Sequence, residues 1–226
     1  MPRETFEHEL QSLQDQVLVL GSMVEQAVMS AVDSLKRRDR EASRRIYAND
    51  RLINEKRYEL EQNVLTVIAT QQPMARDLRL LAAILEIITE LERIGDYAKG
   101  ICRVNIMLGA EPLVKPLVNI QHMADIGLDM LHRALGAFIA RDAEVARAIP
   151  KEDDELDILY NKVYREMLDV MFADASNIDH ANYLIWAAHN LERLGDRVTN
   201  ICERIVFVVS GEIMELDQAD DQATFG

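Results

Sequence analysis

Two hexapeptides hold the residues best placed for chemistry: Leu91-Glu92-Arg93-Ile94-Gly95-Asp96 and, 100 residues later, Leu191-Glu192-Arg193-Leu194-Gly195-Asp196. Residues four apart on a helix lie one above the other, so Glu92 and Asp96 project side by side, as do Glu192 and Asp196. A like-charge pair of this kind costs its helix about 0.2–0.5 kcal/mol, which a chain tolerates by accident once; here it recurs in equivalent places. At about 100° per residue, His189, Glu192, Asp196, Asn200 and Glu203 fall within an arc of about 80°, a continuous stripe of oxygen and nitrogen donors. A second pair at the same spacing, Asp153 with Asp157, is answered in the first copy by Asp50 with Asn54.

Opposed stripes on adjacent helices can chelate. Hard oxygen donors without thiolates suit Mg, Mn, Fe or Ca, and Zn accepts carboxylates as well. The competing reading is a solvated acidic face paired with Arg51, Arg57, Arg79 or Arg197. Gly95 and Gly195 lie inside the predicted helices, where each costs about 1 kcal/mol relative to alanine, so something must crowd those positions, a neighbouring helix or a ligand. Cys102 and Cys202 are equivalent by the repeat and sit about 120° from the centre of the carboxylate stripe, which makes them buried apolar positions rather than a disulfide. His132 follows Asp129 by three residues, yet its repeat counterparts Gln26 and Met29 are no such ligands, so a surface or interface role is expected.

These side chains need long helices to carry them. Leu10, Leu13, Val17, Leu20, Val24, Ala27, Val28, Ala31 and Leu35 recur at three and four, one face of a helix. The pattern predicts six helices at 4–37, 39–70, 74–108, 112–140, 142–173 and 177–214, three per repeat. Earlier in each copy the offset is 103, so Asp39 answers Asp142 and Asp50 answers Asp153. The breaks carry signals: Gln72-Pro73 puts proline in a first turn, Gly109 to Pro116 is the joint between copies, and Ser176-x-x-Asp179 is a capping pattern. Short connections make successive helices antiparallel, so the fold class is all-α, two tandem pseudo-symmetric three-helix bundles, each up-down-up. The bundles span 1–110 and 111–214, followed by an acidic, disordered tail at 215–226.

The composition fits: 49% hydrophobic, 28% charged and 5% aromatic residues, with few glycines and prolines. The formal charge is −14, to which the five acids after Gly211 contribute, and such a surface argues against nucleic-acid binding. No run approaches the length of apolar sequence that spans a bilayer, and the N-terminus has no secretory core, so a cytoplasmic protein is expected. No glycine-rich phosphate loop or nucleophile motif is present, and no enzymatic activity is expected.

The doubled Leu-Glu-Arg-Ile/Leu-Gly-Asp element, the stretch Gln72-Pro73-Met74-Ala75-Arg76-Asp77-Leu78-Arg79 and the Asp50 and Asp153 segments make the chain resemble the PhoU family over nearly its whole length. The resemblance implies surface carboxylate motifs that hold multinuclear iron or zinc clusters in several members. It maps these onto Asp153, Asp157, Glu192, Asp196, Asn200 and Glu203, and onto Asp50, Asn54, Glu92 and Asp96. The first repeat departs at Asn54, Gly100 and Arg103, where the second has Asp157, Asn200 and Glu203, so its site should hold metal more weakly or fewer ions.

The resemblance also implies a negative regulator of phosphate uptake and of the phosphate-starvation response. It would work by contact with the ATPase subunit of a phosphate ABC transporter and with a sensor histidine kinase, as a homodimer that meets the inner face of the membrane only through those partners. Two alternatives stand beside this one. The first is a carboxylate-bridged metal enzyme or metal-storage bundle, although the duplicated Glu-x-x-His of ferritin-like proteins is absent. The second is a regulator of the same kind serving a different transporter.

Overall fold

The computed structural model describes residues 2–216; the acidic tail from Asp217 onward lies outside the described residues. The first repeat consists of α1 (Pro2–Arg37), α2 (Arg40–Gln71) and α3 (Ala75–Met107), close to the predicted bounds. The second contains α4 (Val118–Ala140), α5 (Ala143–Ala148), α6 (Asp153–Ala173) and α7 (Ile178–Ser210). No strand occurs among the described residues.

The repeat shows in how its helices start and stop. Asp39 caps α2 by accepting from the Ala42 amide at 2.8 Å, and its counterpart Asp142 caps α5 by accepting from the Glu144 and Val145 amides at 3.0 and 3.1 Å. Arg38 and Arg141, one residue earlier in each copy, both take the left-handed conformation, with φ of 58° and 54°. Such a residue ends the preceding helix and turns the chain. Arg38 is held there by donating to Asn105 Oδ1 at 2.7 Å and to the Gly109 carbonyl at 2.9 Å, which ties the first turn to the end of α3.

The structure departs from the sequence reading at five places, of which the simplest is that α7 ends at Ser210 rather than 214, where Gly211 takes a φ of 82°. The single helix expected at 142–173 is broken into α5, a 3-10 turn over Ile149–Glu152, and α6. Pro150 has no amide to donate and its ring crowds the preceding turn, whereas the equivalent position of the unbroken α2 is Tyr47. The fourth helix starts at Val118 rather than 112, because Pro112 and Pro116 keep the residues before them out of the helical region. Pro73 stands ahead of α3 rather than inside its first turn; Gln72 closes α2 with a φ of 47° and α3 begins at Ala75. At the last break the capping side chain is Asp174, which accepts from the Ser176 amide at 2.9 Å, and not Ser176.

The buried stripe of α1 runs through Leu13, Val17, Leu20, Val24, Val28, Ala31 and Leu35, as the three-four spacing requires. By length and composition α1 could cross a bilayer, but that face is sealed against α2, α3 and α4. The two repeats meet along α3 and α7, where Asn190 packs on Gly100, and along α1 and α4, where Leu135 packs on Gly21. One continuous apolar core therefore runs through both. At the closed end of the first repeat it contains a polar knot: Ser34 and Ser43 share a 2.7 Å hydrogen bond, and Asn105 donates to the Ser34 carbonyl and to Ser43 Oγ. The second repeat has Ala137, Ala146 and Ile205 in those places, so the two ends are closed by different chemistry.

Candidate functional site

In the first repeat α2 supplies Asp50 and Asn54, and α3 supplies Glu92, Asp96 and Lys99. Asp50 is only 6% exposed, yet its charge is balanced: Lys99 Nζ lies 2.7 Å from Asp50 Oδ2, and the Asn54 amide donates to the same oxygen at 3.3 Å. Lys99 also reaches Asp96 Oδ1 at 3.5 Å and lies 5.4 Å from the centroid of the Tyr47 ring. The hydrogen bond to Asp50 holds the Lys99 ammonium above its ordinary pKa, with the Asp50 and Asp96 charges adding to it and burial opposing.

The second repeat brings Asp153 and Asp157 of α6 toward Glu192 and Asp196 of α7. Asp153 packs directly on Gly195, and both Asp157 and Asp196 act electrostatically on Glu192. Asp196 is approached by Arg193 Nε at 3.3 Å and by Arg197 at 3.5 Å. His189 Nδ1 lies 3.0 Å from Glu192 Oε2, an ion-pair distance without the alignment of a hydrogen bond. Burial is the largest force raising the pKa of Glu192, and the Asp196 charge is the next; the same two causes in the same order raise Glu92 beside Asp96. The matched perturbation shows that the duplicated motif creates duplicated electrostatics.

The glycines are explained by what faces them. A Cβ on Gly195 would come within 2.0 Å of Asp153 Oδ1 and 2.6 Å of Leu156 Cδ1. On Gly95 it would meet Ile53 Cδ1 at 3.1 Å, with Asp50 Oδ1 at 3.9 Å. Each missing side chain thus admits the neighbouring helix, and in the second repeat it admits the carboxylate itself.

Two residues of the predicted stripe lie elsewhere. Asn200 donates to Glu90 Oε2 on α3 at 3.3 Å, and Glu203 accepts the Leu216 amide at 3.0 Å beside Arg204. Antiparallel packing explains the loss: the stripe continues along α7, but α6 ends its approach near Gly195 and α3 faces the next turns. Of the arginines proposed as neutralising partners, Arg197 touches Asp196, Arg57 acts on Glu92 at a distance, and Arg51 pairs with Glu55. Lys99 was missed. Its signal was in the sequence, three residues after Asp96 with the neutral Thr199 as its repeat counterpart. Cys102 and Cys202 are free and buried, and burial pushes both thiols up to about 12. His132 spans two helices, with Nδ1 3.3 Å from Glu25 Oε1.

The fit to a cation differs between the repeats. As the side chains stand, no three His, Cys, Asp or Glu among the described residues close around one point. The second cluster nevertheless has the donor chemistry a hard cation takes, carboxylates from two helices at short range. Three residues after Asp196 on the same helix, Thr199, 3% exposed, has an Oγ1 with no hydrogen-bond partner. The first cluster does not fit, because the Lys99 ammonium already lies against its carboxylates.

The comparisons with known proteins agree with the doubled architecture. The PhoU domain family model matches residues 17–104 and again 120–205. The chain is 32% identical over 218 residues to the phosphate-specific transport system accessory protein PhoU homolog of Clostridium acetobutylicum, covering 96% of this chain and all of that one. It is 34% identical over 207 residues to the phosphate-specific transport system accessory protein PhoU of Escherichia coli K12, covering 92% of this chain and 86% of the other. Among solved structures, the phosphate transport system regulatory protein PhoU from Streptococcus pneumoniae superposes with a TM-score of 0.87 at 29% identity, over 92% of this chain and 99% of that one. PhoU from Pseudomonas aeruginosa gives a TM-score of 0.87 at 31% identity, over 92% of this chain and 100% of that one.

Proposed function

The chain belongs to the PhoU family, and from that premise we propose that it is an accessory protein of a phosphate-specific transport system that restrains phosphate uptake and the phosphate-starvation response. It does so by protein contact, with the ATPase subunit of the ABC transporter on one side and a sensor histidine kinase on the other. It works at the cytoplasmic face of the membrane, as a homodimer. The observation that carries this reading is that relatives named as accessory proteins of phosphate-specific transport align with 92% and 96% of the chain, both repeats included.

The second carboxylate cluster gives the adaptor a metal-binding face. Asp153, Asp157, Glu192 and Asp196 would hold a divalent cation, iron or zinc by the family resemblance, with manganese, magnesium and calcium also compatible with oxygen donors. A bound cation would supply positive charge between α6 and α7 and cross-link them. Each cluster runs from a buried carboxylate, Asp50 or Asp153, to a partly exposed one, Asp96 or Asp196, unlike the inward-facing ligands of a ferritin-like bundle.

Deleting the gene is expected to raise expression of phosphate-starvation genes in phosphate-rich medium, measured by a reporter, and reintroducing it to restore repression; unaltered repression in the deletion strain would refute the regulatory reading. Tagged protein from phosphate-replete cells is expected to retain the transporter ATPase and the kinase from gently solubilised membranes, and recovery of neither would refute the adaptor reading. The metal arm is separate: Glu192→Ala with Asp196→Ala lowers the metal content of purified protein by elemental analysis, and unchanged content would remove these residues as ligands.

A further inference from the structure

We propose that the Lys99 ammonium is the resident cation of the first repeat and occupies the place that a metal ion takes in the second, so that Lys99 restricts metal binding to the second repeat. The inference rests on the metal reading of the second repeat given above. Lys99 Nζ bridges the two helices as a chelated ion would, 2.7 Å from Asp50 on α2 and 3.5 Å from Asp96 on its own helix. Its neighbours fix it in place, since the Tyr47 ring centroid lies 5.4 Å away and Asn54 donates to the Asp50 oxygen that Lys99 also uses. A divalent ion entering here must expel an ammonium held by a buried carboxylate, and that pair is stronger in the interior than in water.

The repeat supplies the comparison. Lys99 is answered by Thr199 and Asn54 by Asp157. Both exchanges move the second cluster in one direction, one removing a built-in positive charge and the other adding a carboxylate. Counted formally, Asp50, Asn54, Glu92, Asp96, Tyr97 and Lys99 carry −2, while Asp153, Asp157, Glu192, Asp196, Arg197 and Thr199 carry −3, Arg197 being counted because it lies 3.5 Å from Asp196. The more negative cluster is the one whose α7 position, occupied in α3 by the lysine, holds a small hydroxyl with no hydrogen-bond partner. A cavity of about 260 Å³ between α1, α2 and α3 is lined by Met23, Asn49, Asp50, Gly95 and Lys99. Removing the lysine therefore leaves a path by which water and a hydrated ion reach Asp50.

The test counts metal on full-length protein. Stripped wild-type, Lys99→Thr, Lys99→Arg and Lys99→Thr/Asp50→Asn proteins are equilibrated with manganese(II) and, separately, zinc(II), and bound metal per chain is measured by elemental analysis after gel filtration. Wild-type metal is expected to be abolished by Glu192→Ala/Asp196→Ala and to survive Glu92→Ala/Asp96→Ala. Lys99→Thr gains an additional equivalent, Lys99→Arg gains none because the charge remains, and Asp50→Asn takes the gained equivalent away. If Lys99→Thr fails to fold by circular dichroism, Lys99→Met, which keeps the packed stem and loses only the charge, is counted in its place.

An unchanged count in the neutral variant, with second-repeat metal present in wild type, overturns the role of Lys99 and leaves the metal reading intact. No metal on wild type but metal on the neutral variant overturns the metal reading of the second repeat and upholds the role of Lys99. Metal on neither protein overturns both.

Discussion

At the scale of single residues, the two glycines of the duplicated motif should respond differently to alanine. Alanine favours a helix over glycine by about 1 kcal/mol. At Gly195 the added Cβ would lie 2.0 Å from Asp153 Oδ1, so the carboxylate and Leu156 must move; at Gly95 the nearest atom is a flexible Ile53 methyl at 3.1 Å. Overpacking of this kind costs about 1–3 kcal/mol, so Gly195→Ala should destabilise while Gly95→Ala should be close to neutral in urea unfolding. Equal midpoints would contradict the asymmetry.

The raised pKa of Glu192 makes a second residue-scale prediction, for metal-free protein. Its folded value lies above the ordinary 4.5, mainly through burial and then through Asp196, so folding favours the protonated carboxyl. That contribution is complete below the unfolded pKa and is lost as pH rises through the folded one. Glu192→Gln removes the loss and should leave the protein more stable than wild type on the alkaline side of that window. A variant that tracks wild type at every pH would show that the burial of Glu192 carries no such cost.

At the scale of elements, what the repeat preserves is the cap and what it changes is the helix behind it. Asp39 and Asp142 both accept from amides in the first turn of the following helix. Replacing either by alanine should cost about 1 kcal/mol, with Asp142→Ala costing the more. The reason is that Asp142 opens a six-residue helix, α5, which ends at the Pro150 break, whereas Asp39 opens the 32-residue α2, whose packing supports it along its length. Comparing unfolding midpoints of the two variants decides this. The break at Pro150 was readable in principle, since proline inside a helical period interrupts it; the apolar spacing on either side overrode that signal in the reading of a single helix.

At the scale of the whole molecule, the repeats are joined by more than apolar contact. Glu90 of α3, 8% exposed, lies 3.4 Å from Arg197 and 3.3 Å from Asn200 on α7, and also pairs with Arg93. Arg197 in turn reaches Asp196, so the seam between the repeats is in electrostatic contact with the second carboxylate cluster. Glu90→Ala leaves Arg197 without that partner in a largely buried place and should cost on the order of 3 kcal/mol, read as a lower unfolding midpoint. Glu90→Gln, which keeps a hydrogen-bond acceptor for Asn200, should cost less. The reverse order would mean that the seam is held by shape alone.

The sequence by itself determined the duplication, the helical class, the apolar stripes and the pairing of Glu92 with Asp96 and of Glu192 with Asp196. All of these are local or periodic: spacing along one helix fixes which side chains share its face. Gly95 and Gly195 were also legible as crowded positions, because a glycine inside a helix needs a reason. Only the tertiary structure decided which helix each face meets. It sent Asn200 to Glu90 and Glu203 to the Leu216 amide, although both continue the stripe of Glu192 and Asp196. It also brought Lys99 against Asp50, 49 residues away in the chain. Contacts of that range depend on how antiparallel helices register against one another, and the period of a single helix carries no information about its partner's register.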